Sequence, residues 1–375
     1  MSAVVFDNID IVFGERQQEA LAMIDQGRKR DEILKATNVV LGAAGVNLAI
    51  EPKSGEVLAL HSAPTFDPNR FTGGISPEYY NKLLTDPRKP LFNKAIQGVY
   101  PPGSTWKLAT AVMALELGLV KLDDQMREPC TGGFQYGTRW WKCHDKRGHG
   151  SLTLAGAIEK SCDVYFYQLG LKLGLARLVA GGISLGSKDR TGVDLPDEKR
   201  PLFPDSAYKQ YFNQRYPGGW NQSVSLNMAI GQGENAQTVI NMARFYTALA
   251  TDGEAARPQI VRGDAQRKRL FQLDSTQMAG LRNALAGVVS RGTAGTAAIQ
   301  GIVLAGKTGT AQNTQDKNND HAWFVGFAPA NDPKIVVAVM LEFGGHGPRA
   351  AKIASKIIEH FLKAVPTQFL STEGP

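Results

Sequence analysis

Apolar residues recur at helical spacing in several parts of this chain. From Trp106 to Leu119 they fall on one stripe, formed by Leu108, Val112, Leu115 and Leu119. The segment from Arg349 to Lys363 has the same amphipathic spacing and predicts a helix that covers a sheet. A helical stretch is also predicted near Glu15 to Ile33, and residues 105–250 are expected to be mostly helical.

Shorter apolar runs predict strands at both ends of that helical region. The runs from Val46 to Ile50 and from Glu56 to His61 predict a hairpin. Two further strands are predicted from Ala322 to Phe327 and from Lys334 to Phe343, with an edge strand from Lys307 to Ala311. The expected class is therefore α/β of the α+β type, with an antiparallel sheet flanked by helices.

Composition and charge limit the possible folds and functions only weakly. The chain has 375 residues, of which 43% are hydrophobic, enough for one large domain or two ordinary ones. A solvated surface explains its net charge of +7. The same charge would also suit a cell-wall polymer or an anionic membrane as a partner. No nucleic-acid partner is expected, because no basic and aromatic module is present. No apolar segment reaches the roughly 18 residues of a membrane span, and residues 1–13 do not resemble a secretory signal.

The segment Ser104-Thr105-Trp106-Lys107 begins the first predicted helix. The prolines and glycine of residues 100–103 cannot be helical, so Ser104 occupies an N-cap or first-turn position. Ser104 and Lys107 are three residues apart and share one helix face. A serine hydroxyl becomes a good nucleophile when a base takes its proton, and a neutral lysine can act as that base. Burial and a second cation favour the neutral amine, and Lys307 is the candidate for that cation. An ordinary helix cap is the alternative interpretation of Ser104.

Two further short segments are candidates for the same site. They are Ser161-Cys162-Asp163 and Lys307-Thr308-Gly309-Thr310. Residues 301–308 also match the phosphate-binding loop pattern, but their apolar centre is typical of a strand and Gly309 is a poor helix start. The preferred interpretation is an edge strand on which Lys307 and the threonine hydroxyls face a carboxylate, and Gly309 allows the backbone to approach a ligand closely.

In this order, the three segments resemble those of the penicillin-binding proteins and serine β-lactamases. The likeness to the class B transpeptidases extends over roughly residues 40 to 365 and includes Asn93–Gly98, Gly231–Gly233 and Lys307–Gln312. Within that class it is greatest to the enzymes of cell elongation in Gram-negative bacteria. The wider superfamily usually has Asn where this chain has Asp163, and the elongation enzymes often carry Asp there.

The resemblance implies a role for each residue. Ser104 would attack the carbonyl between two D-alanines of a peptidoglycan stem peptide, and Lys107 would take its proton. Ser161 would pass a proton to the leaving D-alanine, and Asp163 would hydrogen-bond Lys107. Lys307 is the fifth predicted catalytic residue, and the substrate-binding residues would be Thr308, Gly309 and Thr310. The backbone N–H groups of Ser104 and Thr310 would form the oxyanion hole.

The resemblance also implies partners and a location. β-Lactam antibiotics would trap Ser104 as an ester, and elongation-complex membrane proteins, including a glycosyltransferase, would be partners. The expected location is the periplasmic face of the bacterial inner membrane, with the anchor absent from this chain. Residues 1–40 are predicted to be a lead-in segment, 41–365 the transpeptidase domain and 366–375 a tail, so that the chain is an excised catalytic portion or a natural short paralogue. A serine β-lactamase and a non-catalytic β-lactam sensor are the alternative functions.

The three cysteines and one histidine predict a metal site. Cys130, Cys143 and Cys162 are the only cysteines, and with His149 they are spaced by 13, 6 and 13 residues. Three sulfurs and one imidazole complete a tetrahedral zinc set, which would be structural because no ligand position is left for water. No cofactor is expected for catalysis. A disulfide with one free thiol, or three unrelated buried thiols, are the alternatives, and His144 competes with His149 as the nitrogen ligand.

Overall fold

A computed structural model describes residues 45–313 and 319–364, with isolated positions before residue 45. The predicted lead-in segment (1–40), the helix predicted over 15–33 and the tail (366–375) lie outside the described residues, apart from those isolated positions. Across the described ranges, no helix combines the length and apolar character needed to cross a bilayer.

The described residues form strands, α-helices and three short 3-10 helices, with the following bounds. The strands are β1 (Val12–Phe13), β2 (Val40–Leu41), β3 (Gly45–Ile50), β4 (Val57–Ser62), β5 (Gly133–Tyr136), β6 (Arg139–Lys142), β7 (Glu254–Ala256), β8 (Arg267–Arg269), β9 (Ala305–Ala311), β10 (His321–Ala328) and β11 (Ile335–Leu341). The α-helices are α1 (Pro77–Thr85), α2 (Lys107–Glu116), α3 (Leu154–Lys160), α4 (Asp163–Ser184), α5 (Tyr208–Arg215), α6 (Ser223–Ala229), α7 (Val239–Ala250), α8 (Ser275–Ser290) and α9 (Pro348–Ala364). The 3-10 helices are Pro68–Phe71, Gly103–Trp106 and Gly295–Ala297.

A five-stranded antiparallel sheet is formed by strands from the first and the last parts of the described residues. Its order is β4-β3-β11-β10-β9, so the predicted hairpin, the two later strands and the edge strand β9 are confirmed. Strands β3, β10 and β11 are buried along their whole length, and α7 and α9 both pack on β10 and β11. Lys307 and Thr308 lie inside β9 and pair with β10 instead of opening a helix, which excludes the phosphate-binding loop.

Helix α2 differs from the prediction of an amphipathic helix. It is buried on every side from Lys107 to Leu115 and ends at Glu116 rather than at Leu119. A helix that is apolar all round is typical of the interior of a large domain. Alanines at 109, 111 and 114 leave room for neighbours on all faces, so α2 lies inside the helical half of the domain against α3 and α4.

The residues before α2 are fixed by a second chain segment that contains the Gly231-Gln232-Gly233 sequence. The backbone N–H of Gly103 donates to Gly231 O at 3.0 Å. Tyr100 and Gln237 exchange two backbone hydrogen bonds, at 2.9 and 2.8 Å. The approach is so close that a Cβ at Gly231 would lie 2.3 Å from Gly103 O. The position of the residues around Ser104 therefore depends on glycine at 231.

We expect Gly231→Ala to destabilise the fold by about 3 kcal/mol or more, because two costs add. Gly231 has a φ of 74°, which costs a residue with a side chain about 1–2 kcal/mol, and the new Cβ would also collide with Gly103 O. Gly301 is the matched control, since its φ is 78° but a Cβ added there would meet no atom within 4 Å. Free energies of unfolding from urea titrations compare the two variants, and equal losses would contradict the packing role of Gly231.

Candidate active site

Ser104 lies in the 3-10 helix that leads into α2, and its side chain is half-buried. The start of neither helix has a side-chain cap, so Ser104 is not an N-cap. Gly103 has a φ of 52°, and a Cβ there would lie 2.7 Å from Thr310 O, which places the Ser104 segment directly on β9. The hydroxyl of Tyr246 supports the same segment by donating to Thr105 O at 2.9 Å.

Lys107 is fully buried, and its ammonium group contacts three oxygens. Nζ donates to Asp163 Oδ1 at 2.7 Å, to Ser161 O at 2.7 Å and to Ser161 Oγ at 3.3 Å. Three acceptors match the three protons of an ammonium group. These bonds join the start of α2 to the turn between α3 and α4, so the first and second predicted segments meet in space.

Ser161 reaches Lys107 because its backbone is left-handed. It is the C-cap of α3, with φ 56° and ψ 37°, a conformation that costs a non-glycine residue about 1–2 kcal/mol. The turn directs both its carbonyl and its hydroxyl to Lys107 Nζ. Cys162 is then the N-cap of α4, and Asp163 is the first residue of that helix.

Asp163 uses both of its carboxylate oxygens. Oδ1 accepts from Lys107, while Oδ2 accepts from the backbone N–H of His144 at 3.0 Å and lies 3.5 Å from His144 Nδ1. Burial raises the pKa of this carboxyl, but the Lys107 charge and the His144 hydrogen bond outweigh burial and hold the pKa below its ordinary value. The contact with His144 was not predicted; it depends on a loop whose position the local sequence does not indicate.

Lys307 is the second fully buried lysine, and its side chain comes from β9. Nζ donates to Thr308 O at 3.1 Å. Burial lowers the pKa of Lys307 well below its ordinary value, and the charge of Lys107 lowers it further, while Asp163 opposes both effects. The sequence predicted that Lys307 would be the cation that neutralises Lys107. In the structure Lys107 has the carboxylate partner Asp163, and burial is the main cause that disfavours the charged form of Lys307.

The rest of the third segment lies along the edge strand. Thr308 Oγ1 is 2.6 Å from Thr293 Oγ1, a contact for which the sequence carries no signal. Gly309 was predicted to allow a ligand to approach, but the structure brings the Ser104 segment there instead. A Cβ at Gly309 would lie 2.9 Å from Pro102 O and 3.0 Å from Thr105 Cγ2. Gly309 thus permits the contact between β9 and the residues around Ser104.

Known proteins are similar to this chain in sequence and in fold. The family model described as the penicillin binding protein transpeptidase domain matches residues 45–359. This chain belongs to the penicillin-binding protein transpeptidase family. The peptidoglycan D,D-transpeptidase MrdA of Acinetobacter baumannii is 33% identical over 354 residues, which cover 87% of this chain and 52% of that protein. The chain therefore spans about half the length of the curated relatives it matches.

Solved structures of penicillin-binding protein 2 (PBP2) have the same fold. PBP2 of Pseudomonas aeruginosa in complex with WCK 5153 is 34% identical with a TM-score of 0.75, and the match covers 84% of this chain and 70% of that one. PBP2 of Helicobacter pylori in complex with MreC is 29% identical with a TM-score of 0.78, covering 89% of this chain and 62% of that one. The predicted resemblance to the class B, elongation-type members of the penicillin-binding protein family and the predicted α+β fold are confirmed.

A cluster of sulfur and nitrogen ligands lies beside the transpeptidase-family motifs. One ligand atom from each of Cys130, Cys143, His149 and Cys162 lies within 4.8 Å of every other, and the three thiols are buried and form no disulfide. His149 Nδ1 is 3.5 Å from both Cys130 Sγ and Cys143 Sγ. His144, the competing ligand, has its Nδ1 3.8 Å from Cys143 Sγ and also contacts Asp163. We call the set Cys130, Cys143, His149 and Cys162 the cysteine cluster.

The electrostatics of the cysteine cluster suit a soft divalent cation. A hydrogen bond from Cys162 lowers the pKa of Cys143 far below its ordinary value, and the same contact raises the pKa of Cys162. Burial raises the pKa of Cys130. The three buried thiols are thus electrostatically linked, and a metal ion would release their protons as it binds. Three sulfurs and one imidazole fill a tetrahedral zinc shell.

Replacing Lys307 with Met should stabilise the fold near neutral pH. The change removes a buried amine, and the Met side chain has a similar shape to that of Lys. The unfolded chain keeps the ordinary lysine pKa of 10.5, whereas the folded pKa is lower, so the unfolded state binds more protons between these two values. Wild-type stability should therefore rise with pH across that window. The advantage of Lys307→Met should be largest below the window and shrink toward its upper limit.

Urea unfolding at a series of pH values from about 7 to 10 measures this difference. Lys352→Met, which changes an exposed lysine, is the matched control and should show neither effect. A difference between wild type and Lys307→Met that stays constant across the series would contradict the lowered pKa of Lys307.

Proposed function

We propose that this chain is the transpeptidase part of a peptidoglycan D,D-transpeptidase that cross-links stem peptides through an ester on Ser104. The observation that carries the proposal is the buried Lys107 amine, which lies one helical turn from Ser104 and is bonded to Ser161 and Asp163. Lys307 and β9 close the other side of the same site. Relatives named peptidoglycan D,D-transpeptidase support the same reaction.

In acylation, Ser104 Oγ would attack the carbonyl carbon between the last two D-alanines. The amine form of Lys107 retains two protons for Asp163 and Ser161 O, and its lone pair is then available for the Ser104 proton. The tetrahedral oxyanion would lie between the backbone N–H groups of Ser104 and Thr310, each worth on the order of 3 kcal/mol. Collapse breaks the C–N bond, and Ser161 passes a proton to the leaving D-alanine nitrogen.

In transfer, the amine of a neighbouring stem peptide would attack the Ser104 ester. It loses a proton as the new amide forms, and the Ser104 oxygen regains one through the same side chains. The donor carboxylate would be bound by the third segment, whose donors are Lys307, Thr308 and Thr310. A β-lactam mimics the donor and would leave a stable ester on Ser104.

The proposed function extends to the surroundings of the enzyme. We place the site at the periplasmic face of the inner membrane, where peptidoglycan is assembled. Elongation-complex membrane proteins, including a glycosyltransferase, are the proposed partners. The structure of H. pylori PBP2 with MreC supports this by showing that a relative assembles with another protein.

A β-lactamase with the same motifs would need a base and a positioned water for deacylation, and a sensor would acylate without transfer to an amine. Many turnovers of penicillin per second would favour the β-lactamase. Acylation without transfer to an added D-amino acid would favour the sensor.

Labelled penicillin tests the proposed nucleophile. We expect one stoichiometric adduct on Ser104, which Ser104→Ala abolishes and Lys107→Ala slows at least about a hundredfold, because a general base contributes at least that much. Ser184→Ala changes an exposed serine at the end of α4 and is the matched control. Intact mass and peptide mapping measure the adduct, and label retained by Ser104→Ala would refute the assignment.

We also propose that the cysteine cluster binds one structural zinc ion. The proximity of the four ligand atoms and the burial of the three thiols support a closed tetrahedral site. Because Cys162 lies between Ser161 and Asp163, the metal would fix the turn that contacts Lys107. Zinc would take no part in bond breaking, since the four protein ligands fill its shell.

Metal analysis tests the zinc proposal without reference to activity. Purified protein should contain one zinc per chain, and a chelator should lower the melting temperature. His149→Ala should lose the metal, whereas His144→Ala, an equally sized change at the competing histidine, should retain it. Cobalt substitution should give the charge-transfer absorption of thiolate ligands. Zinc-free protein that folds normally and ignores chelators would rule the site out.

A further inference from the structure

A threonine outside the three motifs contacts the proposed carboxylate subsite. Thr293 Oγ1 lies 2.6 Å from Thr308 Oγ1. Thr308 is 6% exposed and Thr293 is half-buried, so water competes poorly for this contact. Thr293 belongs to residues 291–294, which follow α8 and which we call the 291–294 loop.

The 291–294 loop is held against the end of α3, immediately before Ser161. The Arg291 guanidinium pairs with Glu159 at 2.5 Å, and Lys160 Nζ donates to Arg291 O at 3.1 Å. A Cβ at Gly292 would lie 2.3 Å from Glu159 O, so this approach requires glycine. The loop therefore connects the helix that precedes Ser161 with the strand that carries Thr308.

The chemistry of a carboxylate sets the direction of the hydrogen bond between the two hydroxyls. An ionised carboxylate only accepts hydrogen bonds, so Thr308 must give it the single proton of its hydroxyl. Thr308 Oγ1 then offers only lone pairs to Thr293, and Thr293 must be the donor. A hydrogen bond received in this way polarises the Thr308 hydroxyl and strengthens the bond that it donates.

We propose that Thr293 is a positioning residue for the carboxylate subsite, which orients the Thr308 hydroxyl with its proton directed at the substrate. The proposal rests on the proposed function, because that function places a carboxylate beside Thr308. The effect of Thr293 passes through Thr308, so it should be confined to ligands that carry the negative charge. A role in general packing would affect charged and neutral ligands alike.

Acylation of Ser104 by benzylpenicillin and by its methyl ester separates these two roles. The ester keeps the β-lactam ring but lacks the carboxylate charge. Thr293→Val removes the hydroxyl and keeps the shape, whereas Thr293→Ser keeps the hydroxyl. We expect Thr293→Val to lower the second-order rate with benzylpenicillin about five- to tenfold, the loss of one oriented hydrogen bond, and to change the ester rate less than about twofold. Thr293→Ser should recover most of the benzylpenicillin rate.

A double-mutant cycle tests whether Thr293 acts through Thr308. The variant with both Thr293→Val and Thr308→Val should acylate no more slowly than Thr308→Val alone, because the partner of Thr293 is already gone. Melting temperatures identify any variant that fails to fold. If Thr293→Val does not fold, the rates of Thr293→Ser with benzylpenicillin and with its methyl ester still test the positioning role.

Three results would overturn the positioning role. They are equal rate losses with benzylpenicillin and its ester in Thr293→Val, an unrecovered loss in Thr293→Ser, and additive losses in the cycle. Failure of the proposed function gives a different result, since wild type would then form no Ser104 adduct with either compound.

Discussion

The buried ammonium group of Lys107 holds the active site together. A charge removed from water is costly unless it is paired and fully hydrogen-bonded, and the three oxygens around Nζ meet that requirement. Two of the three belong to Ser161 and one to Asp163, so the helix that follows Ser104 cannot move independently of the turn between α3 and α4. Loss of either partner would leave an unsatisfied charge in the interior.

The same turn connects the surroundings of Lys107 to the cysteine cluster. Ser161 and Asp163 face Lys107, while the residue between them, Cys162, contributes its sulfur to the cluster. The left-handed backbone at Ser161 followed by the first turn of α4 allows neighbouring residues to face opposite directions. The backbone N–H of His144, which adjoins the cluster residue Cys143, then holds the second oxygen of Asp163. A metal ion in the cluster would therefore stabilise the geometry around Lys107 from the opposite side of this turn.

Glycines determine how closely the two halves of the domain approach each other. Gly103, Gly231 and Gly309 each lie where a Cβ would come within 3.0 Å of a backbone oxygen. They bring the Ser104 segment against β9 on one side and against the Gly231 segment on the other. This packing puts Ser104 beside β9, the edge strand of the sheet.

Local pattern was sufficient for the strands of the five-stranded sheet, the final helix and the choice of the three short segments, because alternation, helical spacing and short motifs depend only on neighbouring residues. The all-round burial of α2 was not predictable in this way, since an apolar stripe does not reveal what packs on the other faces. The pairing of Lys107 with Asp163 and the lowered pKa of Lys307 also came only from the tertiary structure. Both depend on burial and on partners distant in the chain. For the same reason nothing in the sequence indicated the contact of Thr293 with Thr308 or of His144 with Asp163, because these contacts exist only after separate loops have packed together.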